Sequence, residues 1–304
     1  MDFKNYLVPG KTGLLIGIGG VSMSPLAEVL HDAGLDIRGS DMAESSNTLT
    51  LRERGIPIHI GHSADNVTDD ISFVIRTAAV HDDNPEVHEA HRRGIPVFER
   101  TQAWGALMRG YQNALCISGT HGKTTTTSMC THIMMAAEKD PTVMIGGTLP
   151  LLKACHRVGK GNTIIMESCE YYNSFLALNP TIAVVLNIEA DHLDFFKDLE
   201  DIKHSFRCFA ERVPAETGTV IANYDDANTM DALRGIARKV ITFGLNAKAD
   251  VYAQNIVHRG SVSEFDIYHR GNYFARVTLH VPGIHNVRNA LAATAAAIVL
   301  GVSP

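Results

Sequence analysis

The sequence has few cysteines, and their arrangement excludes a disulfide framework. There are five in 304 residues, and no two of them form a C-x-x-C pair. An odd number without paired spacing is typical of a reducing compartment, so we expect reduced thiols and a cytoplasmic protein. The five are Cys116, Cys130, Cys155, Cys169 and Cys208.

Long apolar runs are also missing. No uncharged stretch approaches the roughly 18 apolar residues of a membrane-spanning helix, and the N-terminus MDFKNYLVPGKTG has no apolar core of signal-peptide length. We therefore expect a protein that is neither exported nor membrane-spanning by its own sequence. Low-complexity tracts and fixed-period repeats are absent too, which argues against fibrous and repeat architectures.

The chain has no excess of positive charge. Its 27 basic residues stand against 33 acidic ones, for a formal net charge of -6. This balance gives no general attraction to nucleic acid or to an anionic membrane surface, so we expect neither as a partner. Any anionic ligand must be bound locally. We expect a monomer or a weak dimer.

The sequence does contain enough apolar residues, 45% of the chain, to bury large cores in two domains. Short apolar segments alternate with helix-like stretches in two series. In the first series the joint Arg-Gly-Ile-Pro occurs twice, at 54–57 and 93–96, each time between a helix and a new extended segment. The second series begins at Ala114. Such alternation predicts a parallel sheet with helices on its faces in each domain.

We place the domain boundary near 110–113, which gives domains of residues 1–112 and 113–304. Between 250 and 281 apolar and polar residues alternate around two glycine turns, which predicts a small antiparallel β meander attached to the second domain. The fold class is therefore α/β: a Rossmann-like domain followed by a P-loop domain.

A glycine loop follows the strand 114–118 and is the strongest functional signal. Small residues let backbone N–H groups approach phosphate oxygens, Lys123 supplies a positive charge, and the Thr124 hydroxyl suits a magnesium ion. The loop departs from the usual P-loop because two residues, not four, separate its glycines. The alternative is a glycine turn before a threonine-rich helix. The predicted phosphate site comprises Gly119, Thr120, His121, Gly122, Lys123, Thr124 and Thr125.

Acidic and imidazole groups follow two later strands. Glu167 comes after the strand 163–166, and His192 comes shortly after the strand 182–187. Parallel strands would bring both to the edge that carries the phosphate loop. Mg²⁺ prefers oxygen ligands, so Glu167 suits it better than His192 does. Taken alone, each is more often a hydrogen-bonded structural residue.

A second glycine loop, 17–22, is related to the dinucleotide fingerprint but has Ser22 in place of its third glycine. Asp41 ends the next strand, where an acidic residue would meet a ribose hydroxyl. The interpretations are a bound diphosphate, NAD-like or from a UDP-sugar, and tight helix–sheet packing without a ligand. The polar loop 77–85 either closes over such a ligand or only connects two elements.

Together these motifs resemble the Mur ligase family, in its alanine-adding branch, over the whole chain. The motifs that carry the resemblance are GIGGVSMSPLAEVL from Gly17, GSD from Gly39, NPE from Asn84, SGTHGKTTTT from Ser118, MESCEYYNSFL around Glu167, NIEADHLDFF from Asn187 and GIHNVRNALAA from Gly283.

The resemblance implies an ATP- and Mg²⁺-dependent ligase that joins L-alanine to UDP-N-acetylmuramate through an acyl phosphate, in peptidoglycan precursor synthesis. It implies that Lys123, Glu167 and His192 are catalytic and that Thr124, Glu167 and His192 hold the metals. The predicted phosphate site would bind ATP, with Asn286 and Asn289 facing the adenine, although such an Asn pair is otherwise usually capping. The residues implied to bind the UDP-sugar are Gly17, Gly19, Gly20, Ser22, Asp41 and Thr77.

The family continues into a third, amino-acid-binding domain, which this sequence does not include. We therefore expect a chain that binds nucleotide and turns over poorly or not at all. Glu170 has no assigned role. Three alternatives remain: a murein tripeptide ligase, a non-catalytic UDP-sugar- or nucleotide-binding protein, and an NAD-dependent oxidoreductase. The last leaves the loop 119–125 unexplained.

Overall fold

The computed structural model describes residues 2–77 and 79–304. Ala78, inside the predicted loop 77–85, lies outside them, as does Met1. The chain forms two compact units, Met1–Gly110 and Tyr111–Pro304. This division falls two residues before the boundary placed at 112/113 from the sequence.

The first unit contains a five-stranded, all-parallel sheet in the order β3-β2-β1-β4-β5. The order reverses next to β1, and ligands in such sheets bind at the carboxyl ends of strands beside this switch point. The strands are β1 (Thr12–Ile16), β2 (Asp36–Asp41), β3 (Ile58–Ile60), β4 (Ile71–Arg76) and β5 (Val97–Glu99). The α-helices are α1 (Ser24–Asp32), α2 (Ser46–Glu53), α3 (Pro85–Arg92) and α4 (Arg100–Met108).

The repeated Arg-Gly-Ile-Pro joints end helices by the same device. Gly55 has φ +86° and Gly94 has φ +68°, a left-handed conformation that glycine adopts without steric cost just after a helix. The chain then enters β3 and β5. The predicted α/β alternation is confirmed in this unit, and the central strand β1 is fully buried because sheet neighbours and helices surround it.

The second unit contains a ten-stranded sheet in the order β15-β14-β13-β12-β11-β10-β6-β9-β7-β8. Its strands are β6 (Asn113–Ser118), β7 (Thr142–Leu149), β8 (Ala154–Arg157), β9 (Thr163–Glu167), β10 (Ile182–Val185), β11 (Thr219–Asn223), β12 (Lys239–Gly244), β13 (Val251–Arg259), β14 (Val262–His269) and β15 (Asn272–Leu279). Its α-helices are α5 (Lys123–Ala136), α6 (Leu199–Glu211), α7 (Ala227–Ala232) and α8 (Ile284–Val299).

The predicted meander is present as β13, β14 and β15, and it extends the main sheet. The first residues of β13 pair in parallel with the end of β12, and the two hairpins then run antiparallel. At the other edge β8 pairs antiparallel with β7, a pairing that was not predicted from the sequence. The strand predicted over 182–187 ends at Val185, and Asn187 instead hydrogen-bonds the phosphate loop.

Within the described part of the chain, every helix is too short or too polar to cross a membrane.

Candidate nucleotide site

The loop between β6 and α5 is shaped by two glycines that have no room for a side chain. Gly119 has φ +143°, and a Cβ there would lie 2.8 Å from Leu186 Cβ. Gly122 has φ +85° and caps α5, and a Cβ there would lie 2.7 Å from Asn289 Oδ1. The backbone therefore approaches both neighbours closely. It presents the positive end of a 14-residue helix to the mouth of the loop.

Asn187, two residues beyond the end of the neighbouring strand β10, clamps the loop. Its Oδ1 accepts a hydrogen bond from the His121 backbone N–H at 2.7 Å, and its Nδ2 donates to the His121 carbonyl at 3.0 Å. The Asn187 carbonyl accepts from the N–H of Thr120, and the Thr120 hydroxyl accepts from the N–H of Glu189. No role for Asn187 was predicted from the sequence, although it opens the segment NIEADHLDFF.

Lys123 lies in the first turn of α5 with its ammonium folded back onto the loop. Nζ donates to the carbonyls of Gly119 at 2.6 Å and Thr120 at 3.2 Å. It also pairs with the carboxylate of Glu170, at 3.1 and 3.3 Å from the two oxygens. Glu170 is buried, so this is an ion pair largely removed from water. Thr125 occupies the same turn and is partly buried.

Thr124 and Glu167 meet at the carboxyl edge of the sheet, as the sequence predicted. The Thr124 hydroxyl donates to Glu167 Oε1 at 3.0 Å, and the Gly146 N–H donates to Glu167 Oε2 at 2.7 Å. The Thr124 hydroxyl oxygen and Glu167 Oε1, 3.0 Å apart, fit two neighbouring ligands of Mg²⁺. This ion takes oxygen ligands at about 2.1 Å in an octahedron, so that adjacent ligands lie about 3 Å apart. The two side chains would leave most positions to water and phosphate oxygens.

His192 lies on the loop after β10 and has φ +52°. Its ring stacks on Tyr171, with centroids 4.3 Å apart, and the Tyr171 hydroxyl donates to Asp194. That hydrogen bond holds the pKa of Tyr171 above its ordinary value. Among the described residues no three His, Cys, Asp or Glu side chains group as a metal site. The metal role of His192 therefore remains a prediction.

A cleft of about 480 Å³ opens beside the loop. Asn289 lines it and donates from Nδ2 to Asn286 Oδ1 at 3.1 Å, and Asn286 donates to the Pro282 carbonyl at 2.7 Å. The asparagine pair thus stabilises the start of α8 and also places one amide in the cleft. The acidic and basic residues of this cleft, which come from the segments after β10 and β11 and from α8, were not predicted as site residues from the sequence. They include Glu189, Asp225, Asp226, His285 and Arg288.

The first unit has its own glycine loop at the end of β1. The N–H groups of Gly17 and Ile18 both donate to the Ser40 carbonyl, at 2.9 and 3.0 Å, and the Gly19 N–H donates to Asp41 Oδ2 at 2.8 Å. The Gly20 N–H donates to the Gly17 carbonyl at 3.1 Å. Asp41 therefore fixes the loop from the adjacent strand.

Two more of the predicted residues lie at this loop. The Ser22 hydroxyl accepts from the Arg100 guanidinium on α4. A Cβ on Gly17 would lie 3.3 Å from Thr77 Cγ2, so Thr77 packs against the loop. The six predicted residues thus lie at one edge of the sheet, at its switch point. Their role toward a ligand remains a prediction.

Comparison with known proteins identifies the family. The Mur ligase middle domain matches residues 117–297, and the Mur ligase family catalytic domain matches residues 15–112. The chain belongs to the Mur ligase family. The resemblance drawn from the motifs is therefore confirmed, and so is the α/β fold class.

Curated Mur ligases with high similarity are named UDP-N-acetylmuramate–L-alanine ligase. The protein of Agathobacter rectalis is 46% identical over 288 residues, covering 94% of this chain and 62% of its own length. That of Clostridium novyi is 44% identical, covering 99% of this chain and 65% of its own length. The chain thus spans less than two thirds of these relatives.

Solved Mur ligase structures have the same fold. The UDP-N-acetylmuramate–alanine ligase of Thermotoga maritima superposes with a TM-score of 0.78 at 31% identity, covering 95% of this chain and 65% of that one. The UDP-N-acetylmuramate:L-alanyl-γ-D-glutamyl-meso-diaminopimelate ligase of Neisseria meningitides superposes with a TM-score of 0.85 at 26% identity. The match covers 97% of this chain and 95% of that one.

Proposed function

We propose that this chain provides the ATP and UDP-sugar sites of a cytoplasmic ligase that joins L-alanine to UDP-N-acetylmuramate, an early step of peptidoglycan synthesis. The observation that carries the proposal is the convergence of Lys123, Thr124 and Glu167 at one glycine loop. A phosphate cradle with an oxygen-ligand corner suits phosphoryl transfer, in which positioning and electrostatic stabilisation supply most of the catalysis.

Each part of the site has a distinct task in this reaction. Backbone N–H groups at the start of α5 and the Lys123 ammonium would hold the outer phosphates of ATP. The cleft beside Asn289 would take the nucleoside. The γ-phosphate passes to the lactyl carboxylate of the sugar, and the amine of L-alanine then attacks the acyl phosphate and expels phosphate. Mg²⁺, held by Thr124 and Glu167 with His192 at a second position, would neutralise charge on the transferring group.

The glycine loop of the first unit would hold the UDP-sugar. Its position at the switch point of the sheet supports this assignment. In this proposal Gly17, Gly19, Gly20 and Ser22 lie near the diphosphate. Asp41 and Thr77 shape the loop around it.

Relatives favour alanine over a peptide as the incoming nucleophile. The curated proteins at 44–46% identity carry the alanine-ligase name, whereas the structure of the tripeptide-adding ligase is 26% identical. A murein tripeptide ligase and a non-catalytic binding protein are therefore not favoured.

Ligand binding and turnover are measured in separate experiments, because this chain spans less than two thirds of the length of its relatives. Calorimetry with ATP and Mg²⁺ should show binding that Lys123→Ala weakens by roughly tenfold or more. Unchanged affinity in that variant would exclude the phosphate-cradle assignment. UDP-N-acetylmuramate should bind independently of that substitution.

A single-turnover experiment tests the ligase reaction. The chain is mixed in excess over UDP-N-acetylmuramate with ATP, Mg²⁺ and L-alanine, and the product is identified by its mass. We expect slow formation of UDP-N-acetylmuramoyl-L-alanine. Product with the tripeptide L-Ala-γ-D-Glu-meso-diaminopimelate alone would favour the tripeptide ligase. If both ligands bind and no product forms, the result would favour a non-catalytic binding protein.

A further inference from the structure

The ammonium of Lys123 has more hydrogen-bond acceptors around it than it has N–H groups. The Gly119 and Thr120 carbonyl oxygens and both carboxylate oxygens of Glu170 lie within 3.3 Å of Nζ. An ammonium has only three N–H donors, so these four oxygens already occupy them. A phosphate oxygen can therefore reach Nζ only by displacing one of these partners.

The backbone holds Glu170 in place. Its carbonyl accepts from the Asn173 N–H at 2.8 Å, and the adjacent Cys169 carbonyl accepts from the Phe175 N–H at 3.1 Å. Phe175 is 1% exposed and stacks on Phe209 of α6, with ring centroids 4.5 Å apart. The Glu170 side chain itself is 3% exposed. The backbone that carries Glu170 is thus anchored to the core, and its carboxylate is buried beside the loop.

The segment that carries Glu170 is also strained. Tyr172 and Asn173 follow it with φ of +53° and +55°, a left-handed conformation that tyrosine rarely adopts. Such strain persists where the surrounding structure enforces it, often next to a functional group. Here the strained residues begin two positions after Glu170, the partner of Lys123.

We propose that Glu170 is a positioning residue that holds Lys123 on the loop and competes with nucleotide phosphates for its ammonium. The inference rests on the proposed nucleotide function and concerns nucleoside di- and triphosphates. Glu170 and a phosphate oxygen compete for the same three N–H groups of this ammonium, and the phosphate gains one only when a present partner gives it up. Glu170 therefore weakens nucleotide binding, and its carboxylate takes the place of the phosphate beside Lys123 when ADP leaves.

Glu170→Gln keeps the shape of the side chain and removes its charge. Calorimetry with ADP and Mg²⁺ should show binding that is tighter than in the unsubstituted chain by about tenfold, the size typical of one hydrogen bond to a charged group. The same substitution in a Lys123→Met background should change affinity by only about twofold, because the contested ammonium is gone. A merely structural role would not produce this dependence on Lys123.

A lysine–glutamate pair on α6 supplies a matched control. Glu200 pairs with Lys203 at 2.7 Å, so Glu200→Gln also removes the carboxylate of a lysine pair. It should leave ADP affinity unchanged. If Glu170→Gln fails to fold, Glu170→Asp shortens the reach to Lys123 and should tighten binding by a smaller factor.

Three results would overturn the inference. These are weaker ADP binding in a folded Glu170 variant, the same change in both lysine backgrounds, and an equal gain in Glu200→Gln. If the unsubstituted chain binds neither ADP nor ATP, the proposed function fails together with it. If binding depends on Lys123 but not on Glu170, only the inference about Glu170 fails.

Discussion

Gly146 lies against the carboxylate of Glu167 with no space for a side chain between them. Its N–H donates to Oε2 at 2.7 Å, and a Cβ on Gly146 would lie 2.7 Å from Oε1 and 2.8 Å from Oε2. The atoms it would meet are the end of a flexible side chain. An added methyl group would therefore move the carboxylate rather than the strand.

Gly146→Ala should accordingly separate function from stability. We expect Mg²⁺-dependent ATP affinity to fall by roughly tenfold, the effect typical of disturbing the support of a metal ligand, with little change in Tm. Gly147→Ala is the matched control, because its Cβ would lie 3.5 Å from Thr124 Cγ2, an ordinary contact. Calorimetry over a Mg²⁺ series measures both variants. Equal affinities in the two would contradict the assignment of Glu167 to the metal.

Asn187 makes two side-chain hydrogen bonds to the backbone of His121. Asn187→Ala removes both, and we expect it to lower the free energy of unfolding by about 1–2 kcal/mol. ATP affinity should fall as well, since the loop loses its clamp. Asn187→Asp keeps the acceptor for the His121 N–H and should lose about half as much. Urea unfolding of the unsubstituted chain and both variants, with and without ADP, measures these changes. If ADP raised the free energy of unfolding equally in all three proteins, Asn187 would not clamp the loop.

The sequence was sufficient to predict features that depend on neighbouring residues or on the direction of the strands. The helix expected after the phosphate loop is present as α5, which begins directly after the left-handed Gly122. The meeting of Thr124 with Glu167 at one edge followed from the expected parallel direction of their strands, since parallel strands end at the same edge.

Contacts between distant segments could not be predicted in this way. Glu170 pairs with Lys123 across 47 positions, and Asn187 clamps His121 across 66. Neither has a periodicity or spacing that a single sequence reveals. The pairing of β8 depends likewise on a partner strand, and short strands of mixed polarity carry little pattern of their own.

Asp41 should affect only the ligand of the first unit. Asp41→Ala removes the acceptor for the Gly19 N–H, and we expect UDP-N-acetylmuramate affinity to fall by roughly tenfold, as for the loss of a charge-assisted hydrogen bond. ATP affinity should not change. Asp36→Ala, at the opposite end of β2, is the control and should bind both ligands normally. Loss of ATP binding in Asp41→Ala would show general unfolding instead.

Glu89 on α3 gives the first unit a defined response to acid. Its carboxylate accepts hydrogen bonds from Arg92 at 2.7 Å and from Arg93 at 2.5 Å, and these lower its pKa from 4.5 to about 2. A carboxyl whose pKa is lower in the folded state stabilises the fold fully above its unfolded pKa and loses that contribution as pH falls toward its folded pKa.

Glu89→Gln should therefore lower Tm at pH 7 by an amount that stays constant down to about pH 5 and vanishes near pH 2. Thermal unfolding of both proteins across this range measures the difference. In an Arg92→Met, Arg93→Met background the same substitution should have an effect that varies much less with pH, because the donors that lower the pKa are gone. A difference that instead grew as pH fell would mean that the arginines do not hold the ionised form of Glu89.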